Sequence, residues 1–298
     1  MVKRVVLFLA VNFLVVLMIS LFTSFLNLRP YLQAYGIDYQ SLLIFCLIWG
    51  FGGAFISLAL SRKMAKWLMG VRVIDLHAKD AEQRTLLEIV HKLSKKANLT
   101  SLPEVGIFHS NEPNAFATGP SKARSLVAVS TGLLSRMNPI EIEGVIAHEI
   151  THIANGDMVT MTLLQGVVNA FVMFLSRVFA YALSGLGRNR QQGGGSMMSY
   201  YLFTILFEIV FMVLGSLVIA AYSRYREYRA DAGGARLAGK EAMISALKTL
   251  RVLQEIKDPK QNPAMAAFKI SHPSRPGLLS LFATHPPLEA RIERLSRG

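Results

Sequence analysis

Cysteine is nearly absent from this chain. Cys46 is the only one in 298 residues, which excludes an intrachain disulfide scaffold. Charge is also scarce: Asp, Glu, Lys and Arg make up 17% of residues, against roughly 25% in an average soluble protein. Disorder is excluded by the complementary excess, since 52% of residues are hydrophobic and such a chain collapses. Acid is scarcer than base, 19 residues against 32, leaving a net charge of +13. A basic excess suits nucleic acid or an anionic membrane surface. No basic run studded with aromatics is present, so no nucleic acid is expected as a partner.

What the chain does have is long apolar runs. Four are long enough to cross roughly 30 Å of hydrocarbon: about 5–26, 41–60, 159–183 and 200–222. The first two contain no charged residue, and the first is too long for the apolar part of a cleaved signal, so it reads as a retained anchor. The third holds Gln165, Asn169 and Arg177, and the fourth holds Glu208. A charge at mid-bilayer is costly, and Arg177 and Glu208 stand at similar distances from the polar loop between their spans; either they pair inside the bundle, or each snorkels separately or the hairpin only partly inserts.

Lys and Arg cluster after the second span (Arg62, Lys63, Lys66, Arg72, Lys79) and after the fourth (Arg224, Arg226, Arg229, Arg236, Lys240). The loops between paired spans carry only Arg29 in one, and Arg188 and Arg190 in the other. This bias places both termini and both polar segments in the cytoplasm of an inner or plasma membrane. The expected layout is a membrane hairpin over 1–60, the first half of a catalytic domain over 61–157, a second hairpin over 158–222 and the second half over 223–298. The fold class is mainly α with a small β-sheet (α+β), a polytopic membrane protein with about four spans and a split cytoplasmic zincin-like domain. Short apolar runs at 105–108, 114–118 and 126–130, punctuated by Pro and Gly, predict the sheet. Helices are predicted over 81–97, from Pro139, and over 223–238, 241–256 and 287–295.

The sharpest signal is His148-Glu149-Ile150-Thr151-His152. Histidines four apart lie on one helix face, so both imidazoles reach a single metal ion, and the glutamate between them is placed to act as a general base. Imidazole suits zinc, and one position left open to solvent makes such a site catalytic rather than structural. A third ligand is needed. Between Asp157 and Glu208 the chain has no carboxylate, and the first acid in a polar segment beyond is Glu227, four residues before Asp231. From spacing alone, Glu227 is either the third ligand, with Asp231 holding a ligand imidazole, or half of a surface ion pair with Arg224.

These residues resemble the M48 family of integral-membrane metalloproteases. The resemblance rests on Ala147–Asp157, Glu227–Asp231, Pro113–Gly119 and Thr284-His285-Pro286-Pro287 with Arg291. It implies Zn(2+), one per chain, on His148, His152 and Glu227, with Glu149 as catalytic base. It implies that Asp157, Asp231 and Arg291 support the ligands and that His285 assists the transition state. It also implies that Asn114, Ala115, Phe116 and Ala117 belong to an edge strand that binds extended substrate, and that the activity serves quality control of damaged membrane proteins.

His152 stands about seven residues before the third span and Glu227 about five after the fourth. At 1.5 Å per helical residue, the metal is expected roughly 10 Å from the lipid. The ligand helices would then be continuous with membrane helices, with Gly156 a point of interruption. Membrane-protein or unfolded polypeptide substrates and the lipid bilayer are the expected partners; nothing in the sequence sets an oligomeric state. Two other classes account for fewer residues. A non-cleaving zinc-binding membrane chaperone has no need of Glu149, and a transporter would rest on Arg177 and Glu208 alone.

Overall fold

The computed structural model describes residues 38–185, 197–255 and 277–297. The run at 5–26 lies outside them. Among the described residues three helices are long and apolar enough to cross a membrane: α1 (Tyr39–Leu68), α5 (Asp157–Gly185) and α6 (Met197–Ala238). They contain the second, third and fourth runs. α6 is far longer than the ~20 residues a bilayer needs; its apolar part ends near Tyr222, and charged turns follow it.

The described residues divide into two compact units, one within 1–57 and 161–219 and one within 58–160 and 220–298. In the first, Leu43 and Cys46 of α1 bury against Phe174 and Val178 of α5. Small residues bring helices close: Gly50 lies against the Ala170 backbone, and Gly215 against Val168. Polar groups on these helices find partners. Asn169 donates to the Gly50 carbonyl and accepts from Gln165. Arg177 meets Glu208 at 3.1 Å, donates to the Met173 carbonyl and lies over the Phe45 ring, so the pair forms.

The second unit joins a mixed four-stranded sheet to helices. β1 (Arg72–Val73), β2 (Glu104–Phe108), β3 (Ala115–Ser121) and β4 (Arg124–Ser130) lie in the order β1-β2-β4-β3. β2 runs parallel to β4, and the other two pairs are antiparallel. The three predicted strands are present; β1, only two residues long, is too short to leave a pattern. Helices α2 (Ala81–Lys96), α3 (Thr131–Arg136), α4 (Pro139–Asn155), α7 (Lys240–Glu255) and α8 (Leu288–Arg297) complete the unit. The predicted segment 223–238 is no separate helix; it is the last part of α6.

α4 is built to start and stop where it does. Asn138 accepts from the Ile140 and Glu141 amides while Glu141 accepts from the Asn138 amide, a reciprocal capping box with Pro139 at the first helical position. The other Glu141 oxygen accepts from Ser245 and Thr249 of α7, so one carboxylate caps α4 and ties it to its neighbour. At the far end Gly156 adopts φ 74°, left-handed and cheap only for glycine, and its amide caps the helix. From Gly144 to Ile153 α4 is buried all round, with Val145, Ile146, Ile150 and Ile153 in the core between the sheet and α7. Each such side chain contributes roughly 1.5–3 kcal/mol by leaving water, and together they hold the turn from His148 to His152 rigid.

Candidate metal centre

Three side chains converge in the second unit: His148 and His152 from α4 and Glu227 from α6, all buried. His148 Nε2 is 3.1 Å from His152 Nε2 and 3.3 Å from Glu227 Oε2, and His152 Nε2 is 3.4 Å from Glu227 Oε1. Zinc–nitrogen bonds of about 2.0–2.1 Å in a tetrahedron give ligand–ligand edges of roughly 3.3–3.4 Å. The triangle has the size zinc requires. Glu227, rather than a partner of Arg224, is the carboxylate that meets the histidines; Arg224 donates to the carbonyls of Leu281 and Ala283.

The outer nitrogens assign the tautomers. His148 Nδ1 is 3.0 Å from Asp231 Oδ1, and His152 Nδ1 is 2.6 Å from Asp157 Oδ2. Each Nδ1–H donates to a carboxylate, which leaves both Nε2 lone pairs aimed at each other. Two lone pairs at 3.1 Å repel unless a cation lies between them, so the donor set fits a metal ion. The side chains around the triangle are charged to match. Burial would push the His148 imidazole down, but Asp231 and Glu227 outweigh it and hold it up to about 9. His152 is likewise raised, by Asp157 and Glu227 against its burial. Burial would raise the two carboxyls on α6. His285, His148 and His152 hold Glu227 well below the usual range, and Arg291 and His148 do the same for Asp231.

The remaining expected site residues fall as follows. Arg291 of α8 is fully buried and grips Asp231 at 2.8 and 2.6 Å through Nε and Nη2, with Nη1 3.9 Å from Glu227. His285 Nδ1 lies 2.9 Å from Glu227 Oε2. Glu149 is buried on the turn between the two histidines. β3 is an edge strand, paired only with β4 among the described residues. Asn114 stands just before it, with its amide donating to Ser130 Oγ and its carbonyl accepting from the Ser130 amide. Asn114 therefore faces β4, and by the alternation of an antiparallel ladder Ala117 turns its backbone groups to the open edge, while Ala115 is buried in the core. Phe116 has its side chain in the core, its ring 5.5 Å from that of Phe108.

Three supports have no counterpart in the sequence reading. Gly233 and Gly234 sit inside α6 where it crosses α4. A Cβ at Gly233 would lie 2.2 Å from Thr151 Cγ2, and one at Gly234 would lie 3.1 Å from the His148 amide nitrogen. Only a side-chain-free stretch lets α6 approach closely enough for Glu227 to reach both histidines. The available signal was a glycine pair inside a helix, which usually has a packing reason. The third is Lys122, in the β3–β4 turn, whose ammonium donates to the Ala154 carbonyl and caps α4 at its negative end.

Two ligands on one helix, a carboxylate on a second and membrane-length apolar helices define a membrane metalloprotease, and the comparisons agree. The model of peptidase family M48 matches residues 80–298, and the chain belongs to that family. Over its whole length it is similar to proteases named HtpX or HtpX homologue. It is 52% identical to the homologue of Methylacidiphilum infernorum, covering 100% of this chain and 99% of that one. It is 49% identical to the homologue of Bacillus subtilis, covering 99% of each. Among solved structures, Ste24p of S. mikatae superposes with a TM-score of 0.59 at 15% identity, over 99% of this chain and 67% of that one. At that identity the likeness is one of fold.

Proposed function

We propose that the chain is a zinc-dependent endopeptidase working at the cytoplasmic face of the membrane on unfolded or damaged membrane proteins. The triangle of His148, His152 and Glu227, sized for zinc, is the observation that carries this reading. The chemistry a bound zinc ion supplies is polarisation of the scissile carbonyl and acidification of the attacking water. Glu149 takes a proton from that water and delivers it to the leaving amine. His285, beside Glu227, donates to the carbonyl oxygen as charge develops on it. Asp157, Asp231 and Arg291 hold the two imidazoles in the tautomer and orientation the metal needs.

The substrate class follows from β3. With Phe116 and Ala115 turned into the core, Ala117 offers backbone groups and almost no side chain, so an extended chain docks by strand addition with little regard for its sequence. Only unfolded or locally opened polypeptide presents a free strand. The Lys/Arg bias after the second and fourth runs supports the cytoplasmic orientation. The bounds of α5, which starts at the imidazole partner Asp157 and continues as an apolar span, support action close to the lipid.

The test uses the full chain purified in detergent and offered casein as an unfolded substrate beside a folded soluble protein. Casein cleavage that stops with a chelator and returns with added zinc is expected. Cleavage indifferent to chelator, or preference for the folded protein, contradicts the reading.

A further inference from the structure

α1 keeps one outward face beyond the end of its apolar run. Trp49, Ile56, Leu60 and Trp67 are 62%, 62%, 42% and 82% exposed. At 3.6 residues per turn they fall within about 40° of one another. On the opposite side of the same helix Ala65 is buried with Val71, Phe108 and Leu126, so Trp67 points away from the unit that Ala65 packs into. Past the helix, Val73 and Leu76 are exposed as well. A nearly bare tryptophan with leucine and valine beside it is a poor surface for water.

The charges in this segment are mainly basic: Arg62, Lys63, Lys66, Arg72 and Lys79 stand against Asp75 alone. Arg62 and Lys66 are occupied, at 3.3 and 2.7 Å from Glu104. Lys63, Arg72 and Lys79 have no acidic partner among the described residues. Exposed aromatic and aliphatic side chains interleaved with free cations are the composition of a surface that sits among anionic headgroups, with tryptophan at the level of the interface.

We propose that residues 60–79 of the catalytic unit lie in the headgroup layer of an anionic bilayer, with Trp67 as aromatic anchor and Lys63, Arg72 and Lys79 as contacts to lipid phosphate. This rests on the membrane reading above and adds that the catalytic unit itself, not only the spans, is seated on lipid. Its β1 strand would then be held at the surface, fixing how the sheet is presented to substrate.

The chain has two tryptophans, which makes the proposal directly readable. Trp49→Phe leaves Trp67 as sole reporter, and Trp67→Phe leaves Trp49. Each full-length variant is reconstituted in vesicles of phosphatidylcholine with and without phosphatidylglycerol. Emission is recorded with lipids spin-labelled near the headgroup or deep in the chains, and with acrylamide in the water. Trp67 is expected to emit to the blue of the urea-unfolded chain, to be quenched by the shallow label more than the deep one, and to gain acrylamide protection with phosphatidylglycerol. Trp49 should respond to the deep label. Water-like emission from Trp67 with no lipid quenching overturns the proposal, and deep-label quenching of Trp49 in the same preparation shows that the membrane reading survives. Protection of Trp67 from both acrylamide and lipid label also overturns it, because protein then covers the patch. Protection indifferent to phosphatidylglycerol overturns the anionic contact. If neither tryptophan is quenched by lipid, the membrane reading falls with it.

Discussion

His148 and His152 turn their Nε2 atoms toward each other at 3.1 Å while their Nδ1 atoms are held by Asp231 and Asp157. The arrangement is stable only with positive charge between the rings. A proton serves when the protein is stripped of metal, and a bound metal ion would replace it.

Zinc uptake therefore releases protons. With His148 held up to about 9, the chelator-stripped protein carries a proton on the pair at pH 7, and the metal must displace it. Affinity should rise about tenfold per pH unit per displaced proton as pH approaches that value. Titration calorimetry in buffers of different ionisation enthalpy checks this: the apparent enthalpy should change with buffer, and an unchanged one contradicts the assignment. The stripped protein shows the opposite trend in stability. Its His148 value is raised above the ordinary 6.5, so the contribution is full below that pH and is lost as pH climbs through about 9.

Gly233→Ala separates packing from helix propensity. Alanine gains roughly 0.5–1 kcal/mol over glycine inside a helix. Here its Cβ would meet Thr151 at 2.2 Å, and overpacking costs about 1–3 kcal/mol. The clash wins. The variant should melt earlier and bind zinc more weakly, because α6 and Glu227 are pushed off α4. A variant as stable and as tightly metallated as the parent would remove Gly233 from the site's architecture.

The open edge of β3 can be tested with a residue that is normally destructive in sheets. Ala117 turns its amide away from β4, so proline there leaves the ladder intact, as edge positions allow. Ala117→Pro should fold and hold zinc normally but raise KM for unfolded protein. Phe116→Pro, which removes a ladder donor and a core ring together, should fail to fold. Unchanged cleavage by Ala117→Pro would rule out strand addition at this edge.

How much of this was readable without coordinates depends on how far apart the partners stand in the chain. The two histidines share one helix at a spacing of four, so the pattern itself carries their geometry. Glu227 lies far downstream, and it stood out chiefly because the chain is so poor in carboxylates before it. The alternative to ligation, a pair with Arg224, differs from it only in how α6 crosses α4, and in the structure that crossing brings Glu227 to the histidines. The apolar runs were legible because hydrocarbon thickness imposes a length. By contrast, the glycine contacts, the Lys122 cap and the two-residue β1 are products of tertiary closeness or too short for a period. The motif groups Asn114 with the substrate strand, while its backbone hydrogen bonds to Ser130 turn it toward β4.

The account's central claim is that a metal held by His148, His152 and Glu227 works with Glu149 as the proton carrier. Glu149→Gln, a near-isosteric change off the ligand triangle, separates holding the metal from using it. Zinc content per chain and casein cleavage are to be measured on the same purified sample. Stoichiometric zinc with nearly all turnover gone is predicted. Turnover comparable to the parent, or loss of the metal along with activity, would contradict the claim.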